Sequence, residues 1–352
     1  MTERQTPESL QQPGIVVLFG SGETSASGQK AFDWLFRHLK QPLRVAVLET
    51  PAGFELNSDR VAGRIGDFLC DRLQNYRPEV TLVPARQRGT PFSPDSPEIV
   101  APLLTSNVLF LGPGSPTYAV RQLRDSLVWH TLQARHRLGA ALALASAATL
   151  AVGCLTLPVY EIYKVGEDPH WKPGLDLFGP FGLPLVILPH WNNNDGGDEL
   201  DTSRCFMGQA RFDRLFAMLP AGVTVLGLDE HSSLAIDFAA SRCRVMGRGG
   251  VTVLRNGAAQ VFAHGRTFPL AELGPYRLPE PQAGIPEAVW RQVTAEPAGP
   301  AEPPAEVRRL AALRQTARES RDWLAADALR AQIEGLGWLV QDTPGGPQLA
   351  AA

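Results

Sequence analysis

The sequence predicts an α/β fold in which a mainly parallel sheet is covered by helices in three layers, with a small helical module behind it. Three observations carry this. Short apolar runs rich in β-branched residues alternate with longer amphipathic segments through residue 228, the pattern of strands joined by crossover helices. At 352 residues the chain has room for one α/β domain of roughly 250 residues and an appendage. A proline-dense stretch then precedes a final segment with apolar residues at helical spacing.

Strands are expected at 15–19, 44–48, 80–83, 107–111, 140–145, 185–188 and 223–228. Helices are expected at 29–39, 59–74, 117–137 (a span that admits a break) and 207–218. Beyond 228 the pattern changes to brief strands with tight glycine turns, at 234–237, 244–246, 251–254 and 261–263. The run Arg255, Asn256, Gly257 is a hairpin signal, so this part reads as an antiparallel extension of the same sheet. Prolines recur every few residues from 275 to 304, which is linker composition. After it, Val307, Leu310 and Leu313 and then Trp323, Leu324, Ala328, Leu329, Ile333 and Leu336 mark two amphipathic helices, followed by a short strand and turn. The expected organisation is an α/β domain at 14–270, a linker at 275–304 and a module at 305–349.

Bulk properties exclude several function classes. With 33 basic and 36 acidic residues and a net charge of -3, intermixed along the chain, no general nucleic-acid or membrane surface is indicated. Cys70, Cys154, Cys205 and Cys243 stand far apart without a CxxC pair, which argues against a zinc ribbon or a secreted disulfide framework and for reduced thiols in the cytoplasm. The N-terminus has no signal-peptide pattern, and no apolar run reaches the ~20 residues needed to span a bilayer. A soluble cytoplasmic protein is expected.

The chemistry concentrates in three residues. A serine hydroxyl is a poor nucleophile at neutral pH and needs a base within hydrogen-bond reach and donors for the developing oxyanion. Ser146 follows the strand 140–145 and precedes an apolar helical stretch. A strand-to-helix turn exposes the side chain at the sheet's carboxyl edge and aims backbone N–H groups at the reacting oxygen. His190 follows the buried strand 185–188 and reaches the same edge. Glu161 lies between them, with Asp168 as the alternative acid. A lone serine after a core strand also reads as a helix N-cap. If 160–166 is extended, Glu161 and Tyr163 share one face and point to the site.

Segments 144–149 (Leu-Ala-Ser-Ala-Ala-Thr), 186–190 (Val-Ile-Leu-Pro-His), 226–231 (Leu-Gly-Leu-Asp-Glu-His) and 20–23 (Gly-Ser-Gly-Glu) together resemble the peptidase E and cyanophycinase family of serine peptidases, over about residues 14–265. The resemblance implies a class I glutamine-amidotransferase-like fold, with Ser146 as nucleophile, His190 as base and Glu161 as orienting acid. It also implies that the loop 112–116 donates an oxyanion N–H. Pro113 cannot donate, which leaves Gly114, with Ala147 supplying the second N–H. Leu144 and Ala148 stand where the family pattern has glycine. Two readings follow: a serine hydrolase acting on a small peptide or related amide through an acyl-enzyme, and a degenerate ligand-binding protein on the same fold.

The polar stretch 190–204 lacks the ligand spacing of a calcium loop, so no metal is expected there. Asn192, Asn193 and Arg204 are instead candidates for holding a substrate carboxylate. The loop 20–28 offers glycines for close approach to an anion but fits neither GxGxxG nor the P-loop pattern, so no nucleotide cofactor is expected. Residues 314–345 are similar to the extreme C-terminus of cysteinyl-tRNA synthetases, carried by 326–330 (Ala-Asp-Ala-Leu-Arg) and 341–345 (Gln-Asp-Thr-Pro-Gly). No aminoacylation signature accompanies it. The arginines of this module reach RNA phosphates in principle, but interspersed acids favour a solvated helix pair over an RNA surface. Self-association into a homo-oligomer is compatible with the sequence.

Overall fold

Strands β1 (Val16–Phe19), β2 (Arg44–Leu48), β3 (Glu79–Val83), β4 (Val108–Leu111) and β5 (Ala141–Ala145) run parallel in the order β3-β2-β4-β5-β1. This is a computed structural model, and it describes residues 12–295, 303–343 and 346–351. The crossovers are helical: α1 (Ala26–Arg37), α2 (Ser58–Arg72), α3 (Pro97–Thr105), α4 (Pro116–Leu123) and α5 (Leu127–Arg137). The helix expected over 117–137 is therefore broken, at Arg124 to Ser126, where Ser126 caps α5 through Trp129 N. Because successive strand residues point to opposite faces, Val17 and Phe19 pack with Phe32, Leu35, Ile65 and Leu69 of α1 and α2. Val16 and Leu18 pack on the other side, with Leu123, Trp129 and Leu132 of α4 and α5.

A short helix α6 (Ala147–Ala151) and the small ladder of β6 (Leu155–Thr156) and β7 (Lys172–Pro173) lead to β8 (Leu185–Leu188). Here the structure corrects the single-sheet expectation. After α7 (Ser203–Phe206) and α8 (Gly208–Ala217), β8 and β9 (Thr224–Leu228) pair in parallel in a second sheet. Strands β12 (Gly250–Arg255) and β13 (Ala258–Ala263) complete that sheet, antiparallel, in the order β13-β12-β9-β8. Only β10 (Ser232–Asp237), β11 (Arg242–Gly247) and β14 (Thr267–Pro269) extend the main sheet, antiparallel beyond β1. Leu185 and Ile187 face the main sheet's helix-covered core, while Val186 and Leu188 pack against Phe212 and Leu215 of α8. Strands buried on both faces read alike in sequence whichever sheet they join. The hairpin expected at 255–257 forms, with Asn256 and Gly257 both at positive φ between paired Arg255 and Ala258.

The chain divides into two compact units, Met1–Val293 and Thr294–Ala352. The first extends past the expected domain end at 270 into the expected linker. Ile285, with Val289 and Val293 of α9 (Glu287–Thr294), packs on Ala134 of α5. Proline recurrence marks a segment that is not strand or helix; it does not forbid docking. Residues 296–302 of that linker lie outside the described residues. In the second unit, α10 (Ala305–Glu319), α11 (Trp323–Gly335) and a hairpin of β15 (Trp338–Thr343) and β16 (Gly346–Ala351) enclose Val307, Leu310, Ile333, Trp338 and Val340. No helix among the described residues is long and apolar enough to cross a membrane.

Candidate active site

The carboxyl ends of β1, β4, β5, β8 and β9 bring the polar loops of both sheets together, since the β8 and β1 ends meet through the His190 N–H on the Gly20 carbonyl at 3.0 Å. Ser146 lies where β5 turns into α6. Its backbone is left-handed, φ 52° and ψ -111°, a sparsely populated conformation that costs on the order of 1–3 kcal/mol in a non-glycine residue. Close packing of Ala145, Ala147 and Ala148, each at most 1% exposed, allows the sharp turn. Thr149 Oγ1 donates to the Leu144 carbonyl at 2.8 Å and ties the helix back to the strand. Leu144 itself is seated in β5 between Leu18 of β1 and Leu111 of β4, fully buried. Glycine is therefore not needed at 144 or 148 for the chain to fold sharply here.

The hydroxyl is not a helix cap. Ser146 makes no capping bond to α6; its Oγ lies 3.2 Å from His190 Nε2. His190, also at positive φ, rests its ring on Phe206 at 5.7 Å between centroids. Its Nδ1 is 2.9 Å from Glu230 Oε1. That carboxylate also accepts from Asn193 Nδ2 at 3.0 Å, and the Glu230 backbone N–H donates to Asn192 Oδ1 at 2.7 Å. The bond from His190 pulls the Glu230 carboxyl down to about 2, against the opposing effect of partial burial, and Asn193 reinforces it. Glu230 sits on the turn that carries the chain from β9 in the second sheet to β10 in the main one.

Several sequence expectations are corrected by this arrangement. Glu161 is not beside His190. Residues Glu161–Val165 form one π-helical turn rather than an extended segment, so Glu161 and Tyr163 leave it in different directions. Glu161 reaches Lys172 Nζ at 3.5 Å, while Tyr163 lines the pocket over Ser146. Asp168, the alternative acid, has a fully exposed side chain 3.9 Å from Arg214. Asn193 is buried and engaged with Glu230, while exposed Asn192 accepts the Glu230 backbone N–H through its Oδ1. Arg204, left-handed in backbone, donates to the Trp191 carbonyl at 3.2 Å and stacks over the Trp191 ring at 4.1 Å. It braces the His190 loop. The loop at 20–28 is a helix entry, with Ser25 Oγ accepting from Gly28 N at the start of α1.

Gly114 and Ala147 do meet at the site. Both line a cavity of about 320 Å³ with Ser146, Leu150, Tyr160, Tyr163, Lys164, His190 and Phe206. Gly114 has φ 139°, and a Cβ there would run into the Pro51 carbonyl, so only glycine fits. Among the described residues neither the Gly114 nor the Ala147 N–H has a backbone acceptor. Nor is there a group of three or more His, Cys, Asp or Glu side chains arranged to hold a metal ion.

The fold is that of an α/β protein with a two-sheet core. It is shared with a peptidase from an acI-B1 Actinobacterium, at a TM-score of 0.59 and 18% identity over 74% of this chain and 98% of that one. A putative peptidase E protein from Listeria monocytogenes EGD-e aligns with a TM-score of 0.41 and 11% identity, over 71% of this chain and 98% of that one. No family model matches the chain. A curated cysteine–tRNA ligase of Methanosarcina mazei is 48% identical over 52 residues, 15% of this chain. The match takes in 11% of the ligase, so this chain spans about a tenth of that relative's length.

Proposed function

We propose that the protein is a serine hydrolase that cleaves a small peptide or related amide, with Ser146 as nucleophile, His190 as general base and Glu230 as orienting acid. The observation that carries this reading is the continuous chain from Ser146 Oγ through both ring nitrogens of His190 to Glu230. Glu230 accepts a hydrogen bond from Nδ1–H and leaves the Nε2 lone pair facing the hydroxyl. His190 then takes the Ser146 proton as Oγ attacks the carbonyl carbon. The N–H groups of Gly114 and Ala147 receive the oxyanion. His190 returns the proton to the departing amine, and water, deprotonated by the same imidazole, releases the acyl group and restores Ser146. The peptidase that shares the fold supports this reading, as does the sharpness of the turn despite Leu144 and Ala148.

A fluorophosphonate probe tests it: wild type is expected to be labelled and Ser146→Ala not. Equal labelling of the two would sink the assignment and favour the ligand-binding reading of the same pocket.

A further inference from the structure

Beside the pocket over Ser146 lies a larger groove of about 770 Å³, lined by Phe54, Tyr118, Arg121, Tyr160, Glu161 and Lys172 among others. Tyr160 lines both spaces. Adjacent residues of one turn divide between the two, Ser115 lining the groove and Pro116 the pocket. Burial first, then Glu55 in the groove and Cys205 in the pocket, push the Tyr160 phenol up, as expected for a ring standing between the two. The pocket alone is near the small end of ligand sites, which run roughly 300–1,000 Å³. A substrate lying across Ser146 and larger than the pocket runs past Tyr160 into the groove.

Several of the groove's wall residues are held in place, and three of them, Phe54, Tyr118 and Tyr160, are aromatic. Tyr118 is held by its hydroxyl, which donates to the Arg86 carbonyl at 2.8 Å, and the Arg121 guanidinium lies over its ring at 5.2 Å. Arg124 donates to the Pro173 and Gly174 carbonyls, both at 2.8 Å, and the Lys172 to Glu161 pair closes that side. Phe54 stands 5.2 Å from the Tyr118 ring with 51% of its surface exposed, and Tyr160 is 46% exposed. Exposed aromatic faces braced from behind suit a planar or large apolar side chain.

We infer that the groove is a second substrate subsite, so that the preferred substrate is a peptide longer than a dipeptide whose aromatic side chain lies between Phe54 and Tyr160. This rests on the serine-hydrolase reading and deepens it.

The test compares wild type with Phe54→Ala and Tyr160→Ala. A mixture of random octapeptides is digested and the cut sites are read by mass spectrometry, with p-nitrophenyl acetate hydrolysis measured in parallel. Wild type is expected to enrich an aromatic residue at one position at least two residues from the cut bond. Phe54→Ala is expected to lose that enrichment and to lower kcat/KM on the best peptide by about fivefold or more, through KM, as the loss of an aromatic contact implies. Ester hydrolysis and fluorophosphonate labelling should be unchanged in Phe54→Ala. Tyr160→Ala, which opens the wall shared with the pocket, should lower peptide cleavage by at least as much. The subsite is overturned if no distant position shows aromatic preference, if peptide and ester turnover fall together in Phe54→Ala, or if Ser146 is labelled but no octapeptide is cut. If Ser146 is not labelled at all, the hydrolase reading fails first and takes the subsite with it.

Discussion

Glu230 is fixed from three sides, by His190 Nδ1 and Asn193 Nδ2 on its carboxylate and by the Asn192 side-chain Oδ1, which accepts its backbone N–H. Asn193 is only 3% exposed, so its amide is a positioning group with no solvent to replace it. In Glu230→Gln the charge is gone and an amide N–H₂ is able to face Nδ1, which favours the tautomer that cannot accept the Ser146 proton. We expect kcat for ester hydrolysis to fall by ~10²–10⁴, the scale of losing the acid in comparable triads. Glu161→Gln should leave ester turnover unchanged; a larger loss there than in Glu230→Gln would reverse the assignment. The pH behaviour follows from the lowered Glu230 carboxyl. A carboxylate near 4.5 unfolded and about 2 folded contributes stability that is full above about 4.5 and lost as pH falls through about 2. Glu230 is then ionised at any pH well above 2. That Ser146 and His190 come to one sheet edge was legible because each follows a buried strand, Ser146 at once and His190 after Pro189. Glu230 also follows one, but its partner lies 40 residues away in sequence and the chain changes sheets at that point, which no local pattern encodes. The carboxylate at 161 was nearer in sequence, and a π-helical turn removed it from the site.

At the scale of elements, strand positions transfer from sequence to structure with shifts of a few residues at their ends, because each burial pattern is local. Which sheet a strand joins is not local, and β8, β9, β12 and β13 could not be separated from the main sheet by composition. Helix α3 went unread; its Pro102 and apolar run (Pro-Glu-Ile-Val-Ala-Pro-Leu-Leu-Thr) carry little amphipathic contrast. The end of α5 has its own testable property. His136 is fully buried, with Nε2 donating to the Gly14 carbonyl at 2.9 Å and its ring packed edge-on to Phe181 and Phe238. Burial, with Arg137 adding, pushes the imidazole down to about 3. Below about 6.5, the ordinary histidine value, the unfolded chain takes up a proton that the folded chain refuses until about pH 3. The unfolded state binds more protons across that window, so stability falls as pH drops through it. Thermal melts from pH 7 to 4 should show a decline in Tm for wild type that is shallower in His136→Phe. A variant with the same slope as wild type would show that His136 is not the group responsible.

On the scale of the whole molecule, every residue assigned to the site lies in the first unit, and the second has an independent small core. Proline spacing located the change of character between them but set the end of the first unit too early, because extended proline-rich chain can still carry a docked helix. Ile285, Val289 and Val293 are each at most 8% exposed against Ala134 and its neighbours. Burying a side chain of this kind is worth ~1.5–3 kcal/mol, a sizeable share of the ~5–15 kcal/mol that holds a typical domain folded. A chain ending at residue 295 is therefore expected to keep fluorophosphonate labelling and to melt close to the first transition of the full chain. A chain ending at Gly274 retains the same site residues but loses that patch, and its Tm should fall by ~10 °C or more. Loss of labelling in the longer truncation would mean that the second unit completes the site, and equal melting of the two would mean that α9 adds nothing to the first unit's core.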